Sequence, residues 1–184
     1  MSREEQMPAN TTYQWEYKKT DLKYCPRCGS PLTLEDVHIP NRPQLVCHAC
    51  QFVFYLNPKL VVMAVVRNGS QVLLLRRAEE PGKGRWALLA GYVERGEDPF
   101  EALKREAREE TGLAIEIGKV IKVNSFPDVG MVQLIFEATA LDEKIETNAE
   151  SYEGRFFPWD EIPWEDIAFE STRETLRECF VEKE

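Results

Sequence analysis

Gly91-Tyr-Val-Glu-Arg-Gly-Glu97-Asp98-Pro99-Phe-Glu-Ala-Leu-Lys-Arg105-Glu106-Ala107-Arg108-Glu109-Glu110-Thr111-Gly112-Leu113 is the stretch that decides how the chain is read. Its ends are marked by backbone chemistry. Asp98 is a good N-cap, Pro99 suits a first helical position that needs no N–H partner, and Glu101 stands where a capping box places its acid. Gly112 sits where the left-handed residue that closes a helix belongs. A helix from Pro99 to Thr111 is therefore expected.

At about 100° per residue, Phe100, Leu103 and Ala107 fall within roughly a 60° arc and form the expected core face. Glu106, Glu109 and Glu110 share the neighbouring arc, side by side at i, i+3 and i+4 spacing. Like charges so placed repel, and no lysine alternates with them there. A hard divalent cation with oxygen ligands resolves that repulsion. Arg105 and Arg108 offset part of it. The plainer alternative is an exposed acidic face, since Glu is a strong helix former.

The surrounding pattern goes further. Gly91, five residues, Glu97, seven residues and then Arg105-Glu106-Ala107-Arg108-Glu109-Glu110-Thr111-Gly112-Leu113 fits G-x5-E-x7-R-E-U-x-E-E-x-G-U, with U aliphatic. Nine fixed positions over 23 residues set it apart from a short motif. On these residues the chain resembles the Nudix hydrolases, from Leu60 through Phe180. The resemblance implies that Glu106, Glu109 and Glu110 ligate magnesium (or manganese), joined by the carbonyl of Ala90, and that Glu97 and Arg105 form a support pair. It implies an α/β/α sandwich around a mixed sheet. Gly91 lets the loop backbone approach where a Cβ would crowd it. Cations suit such an enzyme because attack on a pyrophosphate accumulates negative charge, and a bound water loses its proton more readily. Glu109 and Glu153 are the candidates for general base. Glu153 lies in Glu150-Ser-Tyr-Glu153-Gly-Arg, which resembles the segment that supplies a downstream glutamate in related enzymes; its alternative is a surface residue before a strand.

Working outward, Leu60–Val66 is a continuous apolar, β-branched run. Asn68-Gly69 signals a type I′ hairpin turn, and Val72–Leu75 is the returning strand. Trp86–Val93 reads as a strand interrupted near Gly91. Further strands are expected at Val120–Phe126, Met131–Ala140 and Arg155–Trp159, and a last helix at Ser171–Phe180. The class is mixed α/β with helices packed on a mixed sheet.

Upstream stand Cys25-Pro-Arg-Cys28-Gly and Cys47-His-Ala-Cys50. C-x2-C-x18-C-x2-C fits a tetrahedral zinc site of four cysteines, each pair a tight knuckle. Four thiolates leave no open position, so this site is structural. A thioredoxin-like pair would have to open a helix, and Pro26 and Gly29 fit a knuckle better. His38 and His48 are possible substitute ligands. Cys179 reads as a small apolar packer. The expected organisation is an arm at residues 1–20 bearing Tyr13, Trp15 and Tyr17, a zinc ribbon at 21–58 and a Nudix domain at 59–184, with the boundary near Asn57-Pro58.

The chain has 184 residues and a net charge of −9, and Glu137–Glu184 carries 15 acidic against five basic residues. Met1–Pro58 carries six of each. No basic stripe suits a phosphate backbone, so nucleic acid is not the expected partner. No apolar run approaches the roughly 20 residues of a membrane span, and no signal-peptide stretch opens the chain. A cytoplasmic, soluble enzyme follows as the expectation, with a homodimer by analogy.

A zinc ribbon before such a domain resembles the NADH pyrophosphatase group. Where those enzymes carry S-Q-P-W-P-F-P, this chain has Asn124-Ser-Phe-Pro-Asp-Val-Gly130. The arrangement is closer to ribbon-bearing enzymes of ADP-ribose or flavin adenine dinucleotide, releasing AMP. Trp86, Tyr92 and Phe126 are candidates to stack an adenine, with core or loop packing as the alternative. Two rivals stand beside this enzyme reading: a non-catalytic ligand sensor and an enzyme of capped RNA.

Overall fold

A computed structural model of the chain describes residues 18–38 and 40–181. The part of the expected arm that holds Tyr13, Trp15 and Tyr17 lies outside them. The fold divides between Asn57 and Pro58 into two compact units.

The N-terminal unit is a three-stranded antiparallel sheet of β1 (Thr33–Glu35), β2 (Gln44–Cys47) and β3 (Phe52–Phe54), in that order. These strands are too short for alternation to announce them in the sequence. Among the described residues, its buried apolar side chains are Cys25, Leu45 and Cys47. A core of that size cannot hold a fold by apolar burial alone.

The C-terminal unit is built on a seven-stranded sheet. Five strands run in the order β10 (Ser151–Pro158), β5 (Gln71–Arg77), β4 (Lys59–Asn68), β9 (Met131–Ala140) and β8 (Ile115–Phe126). Only β4 and β9 pair in parallel among these neighbours. Alternation along the strands feeds two cores. Val62, Ala64, Val66, Leu73 and Leu75 join Leu103 and Ala107 of α1 (Pro99–Thr111) on one face. Met63, Val65, Val72 and Leu74 join Ile167 and Leu176, the latter from α2 (Glu170–Val181), on the other. Both faces being covered explains the continuous apolar run of β4. No helix among the described residues is long and apolar enough to cross a membrane.

Four local expectations are corrected. Asn68 pairs with Gln71, so the hairpin loop is Gly69-Ser70. Gly69 alone takes positive φ there, the sign pattern of a II′ rather than a I′ turn. The Trp86–Val93 strand breaks at Leu88, not Gly91: β6 (Trp86–Ala87) pairs with β5, then β7 (Leu89–Tyr92) crosses to β4. β4 and β5 part beyond their hairpin, and this switch of partner fills the fork. On α1, Phe100 is half exposed, set edge-on to Phe136, and Ala102 takes its place in the core. Glu101 turns to Lys104 at 2.8 Å, so no capping box forms; Asp98 caps by accepting from the Phe100 amide at 2.8 Å.

Candidate active site and thiol centre

The glutamate face of α1 meets the sheet at the fork. Gly91, on β7, lies against Glu106 so closely that a Cβ would fall 1.9 Å from the carboxylate carbon. Its φ is not positive, so glycine is needed here for space rather than for backbone freedom. Arg105 organises the loop between β7 and α1. Its Nε and Nη2 donate to the two oxygens of Glu97 at 2.8 and 3.0 Å, and Nη2 also donates to the Tyr92 carbonyl at 3.0 Å. Glu97 in turn accepts from the Glu94 amide at 3.1 Å. Arg105 Nη1 reaches Glu106 at 2.7 Å and Glu109 at 3.0 Å. One guanidinium thus fixes both the loop and two of the three acids. Its interaction with Glu97 holds that carboxyl below its ordinary value.

Glu110 is buried at 9% exposure. Burial, then the charges of Glu106 and Glu150, push its carboxyl up to about 8, with Arg77 opposing. Burial raises Glu106 as well, against the pull of Arg105. Glu109 is exposed. Ala90 pairs with Met63, one residue before the Glu106 contact.

Glu153, the base candidate named from the sequence, and Glu150 are placed differently. Glu153 pairs with Arg76, which in turn pairs with Trp86. It therefore shares the sheet face of Phe157 and Val72, the face turned away from α1. A bulge between Ser151 and Glu153 separates it from Glu150. Glu150 lies on the α1 side by a different route. The segment before β10 is tied to the end of α1 by the Glu146 amide on the Thr111 carbonyl at 2.8 Å. Ile145 and Thr147 cover Gly154, and the Ala78 amide donates to the Glu150 carbonyl at 2.8 Å. The bulge that sets the two apart is not written in the residue types.

Of the aromatic candidates, Trp86 is buried edge-on to Phe157, a packing role. Phe126 ends β8, half-buried. Tyr92 is 44% exposed, with Lys59 Nζ over its ring at 5.1 Å.

In the N-terminal unit, Cys25, Cys28, Cys47 and Cys50 bring all four Sγ atoms within 4.8 Å of one another. Cys25–Cys50 and Cys28–Cys47 stand at 3.7 and 3.5 Å. Thiolates around a tetrahedral zinc are about 3.8 Å apart for a Zn–S length of about 2.3 Å. Each knuckle ends in a left-handed residue, Gly29 and Gln51. Hydrogen bonds from Ser30 pull the Cys28 thiol down to about 6, and lost hydration pushes Cys50 up to about 12. Four thiols so close do not ionise together without a cation. His48 points away, bound to Glu35 at 2.6 Å on an exposed surface, and His38 is not among the gathered ligands.

Two family profiles match the chain: NUDIX domain over residues 57–179 and Nudix N-terminal, a zinc ribbon, over 23–56. An ADP-ribose pyrophosphatase of Methanocaldococcus jannaschii is 30% identical over 117 residues, 61% of this chain and 69% of that protein. A NAD-capped RNA hydrolase, NudC, of Stutzerimonas stutzeri is 32% identical over 144 residues, 77% of this chain, which spans half that protein's length. The crystal structure of a NUDIX hydrolase from Nitrosomonas europaea superposes with a TM-score of 0.83 at 34% identity, covering 88% of this chain and 92% of that one. The chain belongs to the NUDIX domain family and is a Nudix hydrolase with an N-terminal zinc ribbon.

Proposed function

We propose, from that family membership, that the chain cleaves the pyrophosphate link of ADP-ribose or flavin adenine dinucleotide, releasing AMP, and that it needs magnesium or manganese to do so. The observation that carries this reading is the buried Glu110 carboxyl beside Glu106, with Arg77 opposing the acids that press on it. Such an all-oxygen donor set suits a hard divalent ion. Glu106, Glu109, Glu110 and the Ala90 carbonyl would hold it. When bound, the ion supplies charge neutralisation at the pyrophosphate and a more acidic water.

The chain's own residues do the rest. Glu97 and Arg105 are positioning residues: their two parallel hydrogen bonds hold the β7–α1 loop, and through it the Ala90 carbonyl, in register with the helix. Arg105 restrains Glu106 and Glu109. Glu109, exposed and on the open side of the face, is the general base we favour. Glu150 replaces Glu153 as the downstream carboxylate. The four cysteines hold a structural zinc in a ribbon spanning residues 21–58.

ADP-ribose is supported by the name of the Methanocaldococcus jannaschii relative. A second reading, hydrolysis of NAD(H) or of an NAD cap on RNA, is favoured by the NudC relative, whose match exceeds what the C-terminal unit alone holds. The test is a product assay over ADP-ribose, flavin adenine dinucleotide, NADH, NAD-capped RNA and nucleoside triphosphates. AMP release from ADP-ribose that needs magnesium and vanishes in Glu110→Gln is expected. Turnover of none of these, with tight nucleotide binding, would establish the sensor instead.

A further inference from the structure

On the sheet face turned toward α2, one row of side chains crosses four strands. Tyr92 of β7 pairs with Val61 of β4, Val61 with Gln133 of β9, and Gln133 with Asn124 of β8. Directly paired residues share a face. That face is fixed one row further along, where Met63 and Ile135 enter the α2-side core and Lys122 reaches Glu178 of α2 at 2.7 Å. The row therefore lies beside α2's footprint. Tyr92 ties it to the catalytic loop, because its carbonyl is the one Arg105 holds.

Gln133 is a polar side chain at 5% exposure in the middle of a strand. Asn124 Nδ2 donates to Gln133 Oε1 at 3.1 Å. Among the described residues that is the one side-chain hydrogen bond of either amide, which leaves Gln133 Nε2 as a donor and Asn124 Oδ1 as an acceptor. Turning both amides over exchanges the partners and leaves the same complement. Asn124 is half-buried, so the pair stands where the buried face gives way to the surface. Two amides locked together by half their capacity make a rigid donor–acceptor pair.

We propose that Asn124 and Gln133 read the edge of the substrate's planar ring, taking one that offers an adjacent donor and acceptor, as the amino group and ring nitrogen of adenine do. The nicotinamide carboxamide carries the same complement. The proposal rests on the reading of the chain as a nucleoside-diphosphate hydrolase and names what selects its nucleoside.

The chemistry gives a sharp test. In Asn124→Asp or Gln133→Glu one donor is lost, and the pair presents two acceptors. That arrangement disfavours adenine and suits guanine, whose N1–H and amino group are both donors. We expect the ratio of kcat/KM for ADP-glucose over GDP-glucose to fall about tenfold or more in both variants. An unchanged ratio in a folded variant overturns the proposal. Wild-type protein provides an arm independent of folding. AMP should inhibit about tenfold better than purine riboside 5′-monophosphate, which lacks the amino group, and equal inhibition also overturns it. Nicotinamide mononucleotide inhibiting better than AMP would assign the pair to the carboxamide instead of adenine. Failure of the wild-type chain to cleave any nucleoside-diphosphate compound would sink the underlying reading, a result distinct from an unaltered preference.

Discussion

The thiol quartet and the glutamate face of α1 differ in how complete each is without an ion. The four Sγ atoms lie within 4.8 Å of one another, with two pairs at 3.7 and 3.5 Å, near the spacing around a tetrahedral zinc. The glutamates are not gathered that way. Glu106 and Glu109 are held by Arg105, and Glu110 is buried against the sheet. The difference follows from what each region has to fold around. The ribbon buries few side chains, so its ligands are its core. The C-terminal unit has apolar cores on both faces of its sheet, so its acids need not gather for the unit to fold.

The largest effect we expect on that contrast comes from Cys47→Ser, which removes a fully buried ligand. Structural zinc contributes about 10–16 kcal/mol in isolated fingers, so the ribbon should lose its fold. Zinc content measured per chain should drop from one to near zero, and amide protection over residues 23–56 should collapse. Protection across β4 and β9 should persist. Loss of both together would show that the two regions do not fold independently.

Glu110→Gln should act in the opposite sense. Burial pushes the Glu110 carboxyl up to about 8, so Gln copies the neutral form: the thermal midpoint without metal should hold below that pH and rise above it, while activity falls by about 100-fold or more. Magnesium should raise the midpoint of the wild type and leave the variant unmoved. A variant that melts lower and still responds to magnesium would mean that Glu110 supports the fold and not an ion.

Gly91→Ala probes the fit between sheet and helix. The new methyl would lie 1.9 Å from the Glu106 carboxylate carbon, so Glu106 must leave its place. We expect about 1–3 kcal/mol of destabilisation by denaturant titration and roughly a 10- to 100-fold loss of activity. Arg105→Lys should cost activity in the same range with less effect on stability. A lysine cannot hold both oxygens of Glu97 and the Tyr92 carbonyl at once.

Much of this was legible in the residues. Asp98, Pro99 and Gly112 bracket α1 because caps are local chemistry, and the cysteine spacing predicts the thiol centre because two knuckles need little else. Met131–Ala140 is bounded in the structure as the sequence reading has it. What was not legible depends on partners far along the chain. The break at Leu88 comes from β6 and β7 pairing with different strands, which no local pattern records. Phe100 leaves the core because the sheet, not the helix, decides which arc is covered. The ribbon strands, three or four residues each, fall below the length at which periodicity speaks.

The smallest predicted effect sharpens the comparison most, because it separates two residues that the sequence treats alike. Glu150 and Glu153 are three residues apart, both exposed, both before or within β10. Glu150 adds its charge to Glu106 and Glu110, whereas Glu153 stands on the far face of the sheet. If the open site recruits acids by placement and not by sequence segment, Glu150→Gln should lower kcat by roughly 10-fold or more and Glu153→Gln by less than about twofold. The magnesium concentration giving half-maximal rate divides the possible roles further. A shift in Glu150→Gln makes that carboxylate part of the ion's surroundings, and a lowered kcat without a shift makes it a proton acceptor. The reverse ranking of the two variants would show that the bulge between Ser151 and Glu153 rearranges when substrate binds.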